Sequence, residues 1–309
     1  SGAESYNKII KYFRPMLLLG MSASPERTDD FDVFSLFHHN IAYEIRLQQA
    51  LENDLLCPFH YFGITDLEID GIEGNVRDFR YLTSEKRVEY VISKAEYFGF
   101  SGDRVRGLIF CSSKEEAKEL SKKFNETGKY KTVALFGSDS QDARRDAIAR
   151  LVSDSVFNHL DYIFTVDIFN EGVDIPEINQ VIMLRPTESP IIFVQQLGRG
   201  LRKSKGKEYV VVLDFIGNYD NNYMIPIALS GDRTGNKDNI RRSLMEGNNM
   251  IKGASTIYFD EISRKRIYAS IDTAKLNQIA PIKKEYQNLK YKLGRIPYLS
   301  DFDKYGELD

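Results

Sequence analysis

Between residues 83 and 215 the chain alternates short, unbroken apolar runs with capped amphipathic segments, a rhythm that leaves few folds open. The runs are "RGLIFC" (106–111), "TVALF" (132–136), "YIFTV" (162–166), "QVIML" (180–184) and "YVVVLDF" (209–215). A strand with one wet face alternates polar and apolar residues, so runs that are apolar throughout predict strands covered on both faces. Helices are predicted between them. The first starts at Thr83 or Ser84, with Val88, Val91, Ile92 and Ala95 on one face. The second starts at Ser113 with Glu116 at capping-box spacing, and turns Ala117, Leu120 and Phe124 inward. A third opens at Ser140, and a fourth at Ser189 and Pro190, the N-cap and N1 positions. Strands alternating with helices make a doubly wound α/β domain with a parallel sheet over residues 80–218. Ligands of such sheets are expected at the carboxyl ends of the strands.

The flanks are less regular. Residues 4–13 predict a short helix, and "MLLLGMSAS" (16–24) a buried strand that ends at "PERTDDFD". Ile41, Ile45, Leu47, Leu51 and Leu55 have helical spacing, so residues 41–56 predict a helix; a Gly- and Asp-rich loop follows near 66–76. Beyond residue 218 the chain is polar and aperiodic, then reads as short helices with lysines and arginines among tyrosines. Residues 263–309 hold ten Lys/Arg against six Asp/Glu. A DNA-contacting surface and a plain docking segment both fit that tail, in which Pro297 fixes a turn and Phe302 packs beneath it.

A formal net charge of −3 over 309 residues argues against a wholly basic nucleic-acid binder, not against a local basic groove. No apolar run reaches the roughly 20 residues needed to span a bilayer, so no membrane partner is expected. "SGAESYNKIIKYF" lacks the pattern of a secretory signal. Cys57 and Cys111 sit in apolar contexts and read as buried free thiols, which implies a reducing cytoplasm. His38, His39, His60 and His159 have no metal-ligand spacing.

Three loops carry candidate chemistry. In "GMSASPER", Ser22 and Ser24 suit either contacts across an interface or the capping of a turn. In "FTVDIFNEGVDIP" (164–176), Gly172 permits close backbone approach and Asp174 suits ribose hydroxyls; an ordinary turn with solvated acids fits as well. In "FVQQLGRGLRKSKGKEYVVVLDF" (193–215), Arg199 and Arg202 lie three apart at a helix end and offer planar forks to one anion. Gly198 and Gly200 beside them argue for close packing against another surface.

"LLLGMSASPER", "GLIFCSSKEEAKEL", "FTVDIFNEGVDIPEINQVIML" and "QQLGRGLRK" stand in this order. Together they resemble motifs III to VI of the superfamily 2 helicases and translocases. "GAESYNKIIKYFRPMLLLGMSASPERTD" and "NIAYEIRLQQALENDLLCPFHYFGITD" resemble, more narrowly, bacterial helicases related to the translocating subunits of restriction enzymes. The resemblance implies a RecA-like (P-loop NTPase-type) fold and two such domains clamping one ATP with Mg2+. It implies Arg199 and Arg202 as arginine fingers with Gln195 assisting, Asp174 at the ribose, and Gly172 admitting the nucleotide. Thr165 and Asn170 become candidates for contacting the nucleic-acid backbone or relaying its presence. Ser112 and Ser113 become phosphate contacts of the nucleic acid. Ser22, Ala23 and Ser24 match the Ser/Thr-Ala-Thr segment that couples hydrolysis to movement, with serine at its third position.

No stretch matches G-x-x-x-x-G-K-[ST], and the acidic pair of "FDEIS" (259–263) lies far from where the family places its magnesium ligand. The expectation is therefore a fragment: residues 1–30 as the tail of a first RecA-like domain, 31–218 as the second with its lead-in, and 219–309 as a partly helical accessory region. ATP and Mg2+ are then held mainly by the missing N-terminal domain, and DNA, in a bacterial cytoplasm, is the expected partner. The alternatives are an RNA helicase, the motor of a restriction or repair system with a nuclease partner, and a non-catalytic module.

Overall fold

A computed structural model describes residues 4–13, 15–22, 33–38, 40–67, 79–155, 157–166, 175–187, 189–217, 219–232, 234–247, 251, 253–274, 276, 286–287, 289–290 and 293–305. Its strands are β1 (Phe59–Thr65), β2 (Gly107–Phe110), β3 (Thr132–Leu135), β4 (Tyr162–Thr165), β5 (Gln180–Met183), β6 (Val210–Ile216) and β7 (Thr256–Phe259). They form one sheet of order β3-β4-β2-β5-β6-β1-β7, and every pairing is parallel. The helices are α1 (Glu4–Phe13), α2 (Leu47–Glu52), α3 (Phe79–Leu82), α4 (Glu85–Phe98), α5 (Lys114–Glu126), α6 (Gln141–Val152), α7 (Pro190–Gly198), α8 (Met224–Ser230), α9 (Lys237–Glu246), α10 (Glu261–Thr273) and α11 (Leu299–Tyr305).

The five expected strands form within a residue of their predicted ends; four are buried throughout, and β3, at the sheet edge, is buried at its two ends. The caps form as well. Hydroxyls of Ser84, Ser113, Ser140 and Ser189 accept from the N–H groups of Arg87, Glu116, Ala143 and Ile191. One sheet face packs on α4 and α5 through Val88, Val91, Ile92, Leu120 and Phe124. The other packs on α6 to α10, with Leu151, Phe193, Leu197, Ile225 and Ile267 in its core. Both cysteines are free and buried.

Four expectations change. Residues 15–22 form no strand and are exposed, Met16, Leu17, Leu19 and Met21 among them. A strand needs a ladder partner, and among the described residues this run has none. The helix over 41–56 shrinks to α2; Ile41 and Leu55 stay exposed. "FHYFGIT" supplies an unforeseen strand, β1, beside β6. Finally, β7, from the region read as an accessory extension, pairs with β1, so that the same sheet continues past residue 218. In the tail, Pro297 is buried and Phe302 stacks on Tyr286 at 6.3 Å.

Strand β6 is buried at all seven positions, including Asp214. Its carboxyl accepts a 2.6 Å hydrogen bond from the Tyr61 hydroxyl. Burial pushes it from an ordinary 3.8 up to about 7, against the pull of that bond. A raised folded-state value favours the folded chain below about pH 4, where both states are protonated, and that advantage is lost as pH climbs through about 7. Asp214→Asn keeps an acceptor for Tyr61 and removes the titration. The melting temperature of wild type relative to Asp214→Asn should therefore fall by several degrees between pH 5 and pH 8. Parallel profiles of the two proteins would count against a titrating Asp214.

Candidate functional site

The described candidate residues next to the sheet separate onto its opposite edges. Ser112, Ser113 and Thr165 follow or end β2 and β4, at the carboxyl edge. Helix α7 runs back across the sheet from β5, so the turn after it lies at the amino ends of β5 and β6. Gly200 fixes that position: a Cβ there would sit 2.7 Å from Cγ1 of Val210, the first residue of β6, and 3.4 Å from Cγ2 of Val181, the second of β5. The arginine turn is thus at the amino edge, not at the carboxyl edge expected of such sheets. The seven-residue β6 spans roughly 23 Å at ~3.3 Å per residue, which sets the scale of the separation.

The arginine turn is gripped from below. Gly200 and Leu201 are buried, and the Cys57 N–H donates to the Leu201 carbonyl at 2.7 Å. The close packing foretold by the glycines is therefore against the chain's own sheet, and only Gly200 makes it. Around Gly198 a Cβ would meet nothing within 4 Å. Arg199, half-buried, donates through Nε to the Gln195 carbonyl at 3.2 Å. Arg202 is exposed, and Lys203 beside it pairs with Asp54 at 2.7 Å.

Lys207 adds a contact that the sequence did not single out. Its ammonium donates to the carbonyls of Ile178 and Gly200, each at 3.0 Å, and to that of Pro176. The strand-entry loop before β5 and the arginine turn therefore meet at one cation. Asn170, Gly172 and Asp174 lie outside the described residues, as do Ala23 and Ser24; Ser22 is described and exposed.

At the carboxyl edge, Thr165 is fully buried and its hydroxyl donates to the Leu135 carbonyl at 3.1 Å. That side chain fastens β4 to β3. Ser113 is occupied as the α5 cap, while Ser112 is exposed. The expected capping box is only half made. Glu116 accepts from the Ser112 N–H at 2.8 Å and from Arg87 Nη1 at 3.1 Å, and its carboxylate does not return to Ser113.

Arg87 itself was missed. It is fully buried, reaches both Asp66 oxygens through Nε and Nη2 at 2.9–3.3 Å, and donates to the Leu82 carbonyl at 2.9 Å. Burial opposes its charge, but Asp66 above all, then Glu116, raise its pKa above the usual value. Burial also pushes the Glu116 carboxyl up, against Arg87. The two-oxygen contact makes Asp66 the principal counter-ion. The cluster holds the ends of β1 and β2 and the start of α5 in one arrangement beneath Ser112. The acidic pair downstream is structural too: Asp260 caps α10 and accepts from Thr65 and Ser263.

The order of elements and the basic turn now meet the comparisons with known proteins. Residues 91–204 match the family described as helicase conserved C-terminal domain, and residues 282–309 match a domain of unknown function. The matched segment, residues 91–204, reads as a helicase conserved C-terminal domain. Over 230 residues it is 26% identical to the "Putative ATP-dependent helicase IRC3" of Saccharomyces cerevisiae, covering 70% of this chain and 32% of that protein. A "51.5 kDa protein" of a Lactococcus phage is 23% identical over 217 residues, covering 68% of this chain and 46% of its own length. The chain thus spans about a third to a half of these curated relatives. Among solved structures, a fragment of "a putative HsdR subunit of a type I restriction enzyme" from Vibrio vulnificus aligns with TM-score 0.55 at 21% identity, covering 68% of this chain and 42% of that one. The sheet of this helicase domain is RecA-like.

Two substitutions separate the seat of the arginine turn from its charges. Gly200→Ala should cost about 1–3 kcal/mol in urea unfolding, because Val210 must give way. Gly198→Ala, in open space, should be neutral or stabilising. Equal effects would contradict the packing. Arg87→Met leaves Asp66 and Glu116 buried around an apolar side chain, and should cost about 3–5 kcal/mol in the same measurement.

Proposed function

We propose that this chain is the C-terminal half of an ATP-dependent helicase or translocase that moves on DNA, with Arg199 and Arg202 as the arginine fingers. The observation that carries this reading is the turn itself. It is anchored by Gly200, Leu201 and the Cys57–Leu201 hydrogen bond, and Arg202 on it is exposed. A guanidinium stabilises charge on a transferring phosphoryl group when it is delivered in a fixed place, so anchoring at the backbone is what that role requires.

In this reading an N-terminal RecA-like domain supplies the phosphate loop and the acidic box, and residues 1–30 are the tail of that domain. Its surface covers the apolar residues 15–22. The donor set fits ATP with Mg2+: Gln195 and the Arg199 guanidinium stand at the end of α7 and Arg202 in the turn after it, with Asp174 and Gly172 assigned to the ribose side. When bound, ATP supplies the phosphoryl group and this chain only orients and stabilises charge. Ser112 faces the nucleic-acid backbone from the opposite edge, and Asn170 is assigned the same role. That separation lets strand contact and nucleotide contact be made at once. Residues 219–309 act as an accessory region that extends the same sheet through β7. The likeness to a restriction-enzyme subunit favours DNA over RNA as the strand that is gripped. It also supports a second reading, in which the motor drives a nuclease in a partner chain.

The intact protein, including the half with the phosphate loop, is assayed for ATP turnover with duplex DNA and with RNA. Arg199→Ala and Arg202→Ala should each lower kcat by about a thousandfold or more, with DNA the better activator. Unchanged turnover in both variants would remove the arginine-finger reading; stimulation by RNA alone would replace DNA. Residues 1–309 by themselves should show no turnover.

A further inference from the structure

Within the basic stretch, the Lys207 side chain points back into the fold. It is half-buried and its ammonium meets three backbone carbonyls on two segments: Pro176 and Ile178 before β5, and Gly200 after α7. An ammonium has three N–H donors and no acceptor, so this set uses its full capacity. Neither segment is otherwise a regular element. The loop before β5 lies two residues beyond Asp174, and Gly200 directly follows Arg199. Without the cation, three carbonyl oxygens at the amino edge would face one another.

We propose that Lys207 is a positioning residue that fixes the spacing between the loop before β5, which follows Asp174 in sequence, and the turn carrying Arg199 and Arg202. The proposal rests on the reading of those three residues as nucleotide contacts. Lysine rather than arginine suits the place, because a compact ammonium reaches three converging oxygens that a planar fork cannot reach together. A buried cation held by neutral dipoles is also easily neutralised. Burial lowers Lys207 from 10.5 to about 8, opposed by Cys57 and Glu177 nearby. Lys203 acts on Cys57 from the same side. The spacing therefore loosens in mildly alkaline solution.

Two measurements test it. In the wild-type chain, the Lys207 side chain is titrated by NMR between pH 6 and pH 10. The amide signals of Ile178 and Leu201 should move together with its midpoint, near about 8, while those of Leu108 and Ile163 in β2 and β4 stay still. Independent movement of the two segments, or none, overturns the proposal without any substitution. In the intact protein, Lys207→Met should lower kcat for DNA-stimulated ATP turnover about tenfold with KM little changed, and Lys207→Arg should restore only part of it. Arg199→Ala serves as the reference. If Arg199→Ala abolishes turnover and Lys207→Met does not alter kcat, the positioning role is wrong and the arginine-finger reading stands. If Arg199→Ala has no effect, that reading has failed, and coupled movement of the two segments in the titration still supports the clamp.

Discussion

Strand β6 is the constraint from which both edges of the molecule follow. It is buried at every position, lies between β5 and β1, and has a fixed length. Its first residue, Val210, is the seat on which Gly200 rests. The far end of the strand closes over the region organised by Arg87, where the Asp66 N–H donates to the Ile216 carbonyl. A parallel strand of this kind tolerates no shift by one residue, because every side chain would change face. The distance between the arginine turn and Ser112 is therefore set by a hydrogen-bonded ladder and not by loops. Movement of one edge relative to the other would require breaking the sheet.

The core of the sheet was legible because its signals are local. Serines before amphipathic segments gave four helix starts, and runs of apolar residues gave five strands. What was not legible depends on partners far away in sequence. Strand β7 has four residues and pairs with β1 across nearly 200 positions, so nothing nearby announces it. The run at 16–24 shows the opposite failure: its composition is that of a buried strand, yet burial needs a neighbour. Helix 41–56 was over-read because spacing alone placed Ile41 and Leu55 on an inner face that does not extend so far.

The candidate site was legible to different depths. Gly200 was singled out for close packing, but a sequence does not say against what. Arg87 carried a usable sign. It precedes Val91 and Ala95 by four and eight residues, which puts a charge on the inner stripe of α4, and only a buried counter-ion allows that. Glu116, one residue before Ala117, had a plausible role as a capping residue that concealed its second one. Lys207 carried no sign. It stands in "KSKGK", where three lysines look alike and only the fold turns one of them inward.

The placement of charge at the amino edge has a common logic. Lys203 is neutralised by Asp54, and Lys207 is surrounded by carbonyl dipoles, so two of the cations in the stretch are committed to holding the chain. A net charge of −3 says nothing of this, because it averages over cations with opposite duties. The guanidinium of Arg199 lies along its own helix toward Gln195, while that of Arg202 is at the surface. A backbone pinned by glycine packing, one hydrogen bond from the Cys57 N–H and one ammonium leaves little freedom for the turn. An arginine on a loose loop must be ordered during each encounter, at a cost in entropy for every rotamer fixed. On this turn the backbone share of that cost is met when the domain folds, and only the outer torsions of the side chains remain to be fixed.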